Sequence, residues 1–312
     1  MLEKIAKINK RDRVLYIVVA VLALTFGLSF VKSCTSTDSR EVIKSALVNP
    51  KNGDLITGFE LTSAGEKLSL TKTRNKDNDY WVLSVNDGEK TLPADSKRVT
   101  NFIKELTNIR NMYKLSDKNT IDAAFGLTDS SAFYVKYYYG DTFHTLTFGN
   151  QDFSLTGRYL MTDAKATVYE IDSSLDSYIT LSVQNWSEAL LISQEVLGAV
   201  KTADVQSVKV YSEEKSGRIE NVEKLLDLRH GGLPEVATAA VPEALVGQAA
   251  MEIILELGNR SSITLEIYPA SSEGEYHVKA MYKNDDRENR PPLTYYSKIS
   301  QWTYSKIKEI TL

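Results

Sequence analysis

Residues 56–85 read ITGFELTSAGEKLSLTKTRNKDNDYWVLSV and contain three short runs in which apolar and polar side chains alternate. The runs are ITGFELT, KLSLTKT and YWVLSV, and glycine, asparagine and aspartate residues lie between them. Alternation with a period of two is typical of half-buried β-strands, and polar turns between such runs indicate hairpins. This stretch therefore predicts an antiparallel meander with Trp81 on its core face.

A helix is predicted directly after the meander, because Asp95 is a good N-cap and apolar residues then recur at three- and four-residue spacing. These apolar residues are Val99, Phe102, Ile103, Leu106, Ile109 and Met112. Four further strand candidates follow, AFYVKYYY, FHTLTFG, RYLMTD and TVYEID, and then a short helix from about residue 174 to residue 181. The order strands, helix, strands, helix predicts a first α+β unit at residues 56–190.

The second half of the chain repeats this order more loosely. VQSVKVY predicts a first strand and residues 222–228 a short helix, before the strand candidates MEIILELG, ITLEIYP, YHVKAMY and LTYYSKI and the helical pattern WTYSKIKEI. We therefore predict a second, related α+β unit at residues 204–312, each unit being an antiparallel sheet with helices on one side. A single unit with a decorated tail is the alternative.

Five basic side chains stand before a long uncharged run near the start of the chain. The run, residues 14–31, would span about 27 Å as a helix, close to the ~30 Å hydrocarbon core of a bilayer. Positive charge before the span orients the N-terminus toward the cytoplasm. The predicted fold class is thus α+β with an N-terminal transmembrane helix. We predict that residues 1–34 are a cytoplasmic tip and a single-pass anchor in the cytoplasmic (inner) membrane, and that the later domain is extracytoplasmic.

Residues 35–55 are predicted to form a stalk or a first short helix, since the apolar residues at 42–47 fall on one face. Cys34, the only cysteine, offers an alternative to the anchor, namely a lipoprotein signal in which this residue is acylated. Ser33 suits that pattern and Lys32 departs from it. A cleavable signal peptide fits less well, because its apolar region is typically about 7 to 15 residues long and ends at small residues.

Composition and motifs argue against several classes of function. The chain is 42% hydrophobic and 25% charged, as globular proteins are, and 37 basic against 41 acidic residues indicate no basic surface for nucleic acid. His144, His230 and His277 have no second ligand at metal-binding spacing. No phosphate-binding glycine loop and no nucleophile elbow occur. We therefore predict no catalytic, cofactor or metal site, and a protein that is not an enzyme.

Tyr137, Tyr138 and Tyr139 are the predicted partner contact, because alternation in a strand places Tyr138 on one face and its neighbours on the other. Exposed tyrosine suits protein or glycan contacts. Packing on a half-buried sheet is the alternative. The carboxylate pairs that could serve acid–base chemistry, and that we interpret as solvated turn charge, are Asp141 with Asp163 and Glu273 with Glu275.

The succession YWVLS, LPADSKRVTNFIKELTNIRNM, AAFGLTD, LTFGN and GRYLMTDAKATVYEIDSSL resembles the bacterial family known as domain of unknown function 4340. The resemblance covers about residues 56–185, and Phe125 stands where tyrosine is more usual. It implies a membrane-anchored protein, often encoded beside ABC transporter components of the gliding-motility type. It carries over no catalytic residue.

These observations predict a non-enzymatic, membrane-tethered binding protein that is an accessory part of an ABC-type transport or gliding-type complex, with permease or auxiliary subunits as partners. Two rivals remain. One is an extracytoplasmic hydrolase acting through an unrecognised carboxylate site, which a cleft with two acids about 5 to 10 Å apart would favour. The other is a solute-binding lipoprotein, which a deep pocket between the two units would favour.

Overall fold

The computed structural model divides the chain into two compact units, Met1–Val42 and Ile43–Leu312. The residues that it describes are 41–75, 78–86, 90–116, 123–163, 167–212, 216–219, 221–234, 248–284 and 292–310, with Val19 and Leu245. The predicted anchor, apart from Val19, and the predicted lipidation site Cys34 lie outside these residues. Within the described part of the chain, no helix has both the length and the apolar character needed to cross a bilayer.

Among the described residues between 42 and 172, ten strands form a first sheet. The strands are β1 (Val42–Ser45), β2 (Gly58–Ser63), β3 (Glu66–Asn75), β4 (Asn78–Val85), β5 (Lys90–Pro93), β6 (Arg110–Ser116), β7 (Phe133–Tyr139), β8 (Thr142–Gln151), β9 (Gly157–Thr162) and β10 (Val168–Asp172). Their spatial order is β1-β6-β10-β9-β8-β7-β2-β3-β4-β5, with antiparallel pairing from β6 to β5. The predicted meander is confirmed, because β2, β3 and β4 pair in chain order.

In the described part of the second half, six strands form a second antiparallel sheet. They are β11 (Val205–Ser212), β12 (Ser216–Arg218), β13 (Met251–Leu257), β14 (Ser262–Pro269), β15 (Glu275–Lys283) and β16 (Leu293–Ser300), in the spatial order β12-β11-β13-β14-β15-β16. Along β13 the residues alternate between buried and half-buried. The buried face packs on the core, and we call the face that carries Glu252 and Glu256 the outer face.

Four short α-helices lie among the described residues of the second unit: α1 (Ser96–Thr107), α2 (Val183–Trp186), α3 (Val222–Leu226) and α4 (Gln301–Ile310). The predicted cap of α1 is confirmed, since Asp95 Oδ1 accepts a hydrogen bond from Arg98 N at 2.9 Å. At the short helix predicted for residues 174–181 the structure has a 3₁₀ helix, Ser173–Tyr178, and α2 begins only at Val183.

Strand β4 lies between two hydrophobic cores and contributes to both. Trp81 packs with α1 and the first sheet, and it is buried as predicted. Tyr80, one residue earlier and on the opposite face, packs in the core of the second sheet. Its hydroxyl lies 2.9 Å from that of Tyr295 on β16. Because successive strand residues point to opposite faces, a single strand can link both cores.

The predicted fold class, a transmembrane helix followed by two related sheet-plus-helix units, is wrong. The described residues form mainly antiparallel sheet, with ten strands in one sheet and six in the other, and their helices are few and short. Part of the segment at residues 42–47 is the edge strand β1, because sheet pairing outweighs a weak helical preference. Ile109 and Met112 lie beyond α1, which ends at its C-cap Asn108, and β6 begins at Arg110.

Candidate functional site

The three predicted contact tyrosines lie together at the end of β7. Tyr137 is buried and Tyr138 and Tyr139 are half-buried. The Tyr138 hydroxyl donates a hydrogen bond to Glu60 Oε2 at 3.1 Å. Burial, with smaller effects of Asp163 and Tyr139, raises the pKa of Tyr137. Their role as a partner contact stays a prediction.

Tyr139 belongs to a hydrogen-bonded cluster with His144 and Asp163. The tyrosine hydroxyl lies 2.6 Å from His144 Nε2, and His144 Nδ1 lies 2.8 Å from Asp163 Oδ2. A carboxylate oxygen accepts, so His144 Nδ1 donates to Asp163. Asp163 Oδ1 also accepts from Thr145 N at 2.9 Å. The cluster fixes the orientation of the ring and of the Tyr139 hydroxyl.

The segment between the two sheets joins their edges through backbone hydrogen bonds. Glu188 N donates to the Pro93 carbonyl at 3.0 Å, and Gly231 N donates to the Lys298 carbonyl at 2.7 Å. A β-bridge connects the two stretches of this segment. Backbone hydrogen bonds therefore connect β5 of the first sheet with β16 of the second sheet through this segment. We call this region, residues 187–194 and 228–232, the junction.

The Glu188 carboxylate is enclosed at the junction. It accepts hydrogen bonds from Ser193 Oγ at 2.6 Å and from Gln194 N at 2.8 Å. Burial raises the pKa of this carboxyl to about 7, against the lowering that these two hydrogen bonds produce. The carboxyl therefore exchanges its proton near neutral pH while it closes a turn of the backbone.

His230 has structural partners on both ring nitrogens. Nε2 donates to the Glu188 carbonyl at 2.6 Å, and Nδ1 accepts from Gly232 N at 2.9 Å. This arrangement requires the neutral ring with its proton on Nε2, and burial lowers the pKa of His230. A ring whose two nitrogens both hold backbone groups has no free nitrogen for a substrate.

A small cavity lies beside these groups. It has a volume of about 10 Å³ and is lined by Glu188 and His230 from the junction and by Tyr282 and Tyr295 from the second sheet. A buried water needs roughly 10–15 Å³. The cavity is therefore of about the size of one water molecule and is too small for a solute.

An open cleft of about 290 Å³ lies on the outer face of the second sheet. We call it the outer cleft, and its polar lining consists of Tyr211, Ser212, Gln248, Glu252, Glu266 and Tyr268. Glu252 on β13 lies directly opposite Glu266 on β14 and directly opposite Tyr211 on β11. The cleft thus combines two carboxylates with two phenol rings.

The β8–β9 connection presents two exposed apolar side chains. Phe153 is fully exposed and Leu155 is 66% exposed. Asp152 fixes the backbone beneath them, since its Oδ1 accepts from Thr156 N at 2.9 Å and from Gly157 N at 3.0 Å. Leu155 has a φ of +58°, a left-handed conformation that costs a non-glycine residue free energy. We call residues 152–157 the Asp152 loop.

The carboxylate pairs considered from the sequence are not brought around a cleft. Asp163 binds His144, while Asp141 is exposed in the β7–β8 turn. Glu275 pairs with Lys298 at 3.2 Å, and Glu273 is exposed in the preceding turn. In the described part of the chain, no three histidine, cysteine, aspartate or glutamate side chains form a group that could hold a metal ion.

Sequence reasoning missed the pairing of Glu252 with Glu266 and the contact of Glu188 with His230. The first had a signal, because the two strand candidates are joined by a short Leu257–Ser261 turn, and antiparallel pairing places residues equidistant from the turn opposite each other. The second had none, since 42 residues separate its members and their contact depends on the packing of the two sheets.

Comparison with known proteins identifies a family. A comparison with curated proteins and one with solved structures each gave no match. The family model described as Domain of unknown function (DUF4340) matches residues 81–259, more than half of the chain. The matched region runs from Trp81 on β4 past the end of β13 and includes the whole junction. The chain therefore belongs to the DUF4340 family.

Proposed function

We propose that this chain is a non-enzymatic accessory protein of an ABC-type transport or gliding-type complex. Its N-terminal segment anchors it in the cytoplasmic membrane, and its larger compact unit binds a partner protein outside the cytoplasm. The basic and apolar pattern of residues 4–31 supports the anchor and the orientation. Family membership is consistent with this proposal and assigns no activity.

The observation that carries the proposal is the Asp152 loop. A single exposed apolar side chain is ordinary, whereas this loop holds Phe153 and Leu155 outward on a fixed backbone. In this conformation Leu155 has an unfavourable positive φ. A rigid loop loses little conformational entropy on binding, and aromatic residues are enriched where proteins contact each other.

The arrangement of the titratable groups supports a role in binding rather than catalysis. Glu188 and His230 hold backbone groups at the junction, beside a cavity of about 10 Å³. A solute-binding protein would need a far larger pocket between the sheets, since ligand pockets are typically about 300–1,000 Å³.

The paired acids of the outer cleft are the feature that a hydrolase would share. Glu266 accepts from Lys279 Nζ at 3.0 Å and from the Tyr268 hydroxyl at 2.8 Å, so it acts as an acceptor. Glycoside hydrolysis generally requires one carboxyl group that donates a proton and a second carboxylate. Glu266 matches the second of these roles, so a hydrolase would require Glu252 as its proton donor.

The test uses the full-length chain with a C-terminal tag in intact membranes of its source bacterium. After crosslinking and affinity purification, partners are quantified by mass spectrometry against a chain that keeps only residues 1–50. We expect a transporter permease or ATPase to be enriched with the full chain alone. If no transporter component exceeds the control, the accessory role is contradicted.

Matched variants assign the contact to the loop. Phe153→Ser combined with Leu155→Ser should lower the recovery of the partner at least about fivefold, because the apolar contact area is lost. Trp302→Ser is the control, since Trp302 is also an exposed aromatic residue, 67% exposed, but belongs to α4 and neither to the Asp152 loop nor to the predicted tyrosine contact. Equal recovery from all three proteins would contradict the role of the loop.

A further inference from the structure

We propose that the outer cleft binds an organic cation of the lysine or arginine side-chain type, either a free amine or guanidine or such a side chain in a peptide. This inference is independent of the accessory role. It rests on the order of charges across the second sheet and on the rings that flank the cleft.

One row of residues crosses five strands of the second sheet on its outer face. In register, the row consists of Tyr211, Glu252, Glu266, Lys279 and Tyr296. Glu266 and Lys279 carry opposite charges, and their Oε2 and Nζ atoms are 3.0 Å apart. Glu252 and Glu266 instead place two carboxylates opposite each other.

Like charges directly opposite each other destabilise an antiparallel pair. Lys279 neutralises only one of the two, and the Tyr268 hydroxyl also donates to Glu266 at 2.8 Å. Burial, the Glu266 carboxylate and the charge of Glu252 together raise the pKa of Tyr268 to about 12. The phenol therefore stays protonated, and the cleft keeps an excess of negative charge at Glu252.

A further glutamate on β13 shows the contrast within one strand. Glu256 lies on the same face, and its carboxylate accepts from Lys209 Nζ and from Ser207 Oγ, each at 2.7 Å. It is therefore neutralised within the sheet. Glu252 lies at the cleft, where an incoming cation can take the place that Lys209 takes at Glu256.

The shape of the cleft favours a cation that also has an apolar stem. Tyr211 and Tyr268 are both in the lining, and the face of an aromatic ring attracts ammonium and guanidinium groups. The volume of about 290 Å³ is at the lower end of the range for ligand pockets, which suits one long side chain. An inorganic cation would use the carboxylates but not the rings.

The experiment is calorimetric titration of the full-length protein in a non-ionic detergent at low salt. The probes are cadaverine, the tripeptides Gly-Lys-Gly and Gly-Arg-Gly with blocked termini, and Gly-Lys-Gly acetylated on its side chain. We expect the cationic probes to bind, and the acetylated peptide to bind at least about tenfold more weakly, because charge-assisted hydrogen bonds are lost. Binding of the two peptides but not of cadaverine indicates a peptide side chain, and the reverse indicates a free amine.

Variants locate the site. Glu252→Gln should weaken the binding of the cationic probes at least about tenfold, whereas Glu256→Gln should leave it within about twofold. Thermal unfolding of both variants checks that each is folded. The proposal would be overturned if the acetylated peptide bound as tightly as the cationic peptides, or if both variants weakened binding equally. It would also be overturned if Ca²⁺ competed as well as the organic cations, or if no cationic probe bound.

Discussion

The junction and the Asp152 loop differ in where their polar and apolar side chains lie. At the junction, a carboxylate and an imidazole are enclosed and hold backbone groups of the segment that joins the two sheets. At the loop, the carboxylate of Asp152 holds the backbone while phenylalanine and leucine face solvent. Glu188 and His230 thus hold the backbone that joins the two sheets, whereas the Asp152 loop exposes apolar side chains to solvent.

Replacing Tyr282 of β15, an aromatic residue that contacts the junction, by alanine gives the largest expected effect. Tyr282 is 2% exposed, its ring packs against Tyr295, and its hydroxyl accepts from Ser193 N at 2.8 Å. We expect Tyr282→Ala to lower the free energy of unfolding by about 3–5 kcal/mol, because it leaves a cavity and an unpaired amide. Denaturant titration measures the change, and a loss below about 1 kcal/mol would contradict the structural role of the junction.

The second prediction concerns the pH dependence of stability at Glu188. Burial raises the pKa of its carboxyl from 4.5 to about 7, so the folded chain binds the proton more tightly than the unfolded chain does. The stability that this group contributes is present below about pH 4.5 and falls as the pH rises toward 7. Glutamine does not titrate, so Glu188→Gln removes this dependence.

The measurement is denaturant unfolding of both proteins from pH 4.5 to pH 8. The unfolding free energy of the variant minus that of the natural chain should rise by about 3 kcal/mol across this range and level off above about pH 7. His230 and the other titrating groups are present in both proteins and largely cancel in the difference. A difference that is independent of pH would show that Glu188 is not enclosed as described.

The third prediction tests the strain in the Asp152 loop. Leu155 has a φ of +58°, which glycine adopts without steric cost. Leu155→Gly should therefore raise the free energy of unfolding by about 0.5–1 kcal/mol, after the greater entropy of glycine in the unfolded chain is subtracted. Leu155→Ala keeps the strained conformation and is the control. Equal stability of the two variants would contradict the strain.

The smallest effect is expected at the tip of the loop. Phe153 is fully exposed, so Phe153→Ala should change the free energy of unfolding by no more than about 0.5 kcal/mol. The same kind of replacement at Tyr282 should cost several times as much. A loss at Phe153 comparable to that at Tyr282 would mean that its ring packs against this chain rather than facing a partner.

The local elements of the fold were predictable from the sequence where one pattern was sufficient. Alternation predicted the meander strands Gly58–Ser63, Glu66–Asn75 and Asn78–Val85, and Asp95 with the following apolar spacing predicted the start of α1. The spacing at residues 42–47 failed, because a strand at a sheet edge takes its conformation from its neighbour. The total number of strands in each sheet depends on pairing between distant segments, which no local pattern encodes.

The sites, too, were predictable where a local pattern was sufficient and not where they depend on pairing between distant segments. Tyr137 and Tyr139 lie on one face of β7, as alternation requires. The hydrogen bonds of His144 to Tyr139 and to Asp163 could not be predicted, because they depend on the register of β7 and β8 and on the turn after β9. The exposure of Phe153 was not predictable, since the alternation and spacing that place side chains in strands and helices do not apply to a turn between two strands. It depends on the hydrogen bonds of Asp152.

The most direct test of the central claim, that the Asp152 loop contacts a partner protein, is site-specific photocrosslinking. A photoreactive phenylalanine analogue replaces Phe153 or, as a control, the exposed Trp302 of α4, in the full-length chain in intact membranes. The account predicts a discrete protein adduct from position 153 that is absent from position 302 and is lost when Leu155→Ser is added. Adducts only to lipid or to the chain itself, or the same adducts from both positions, would contradict it.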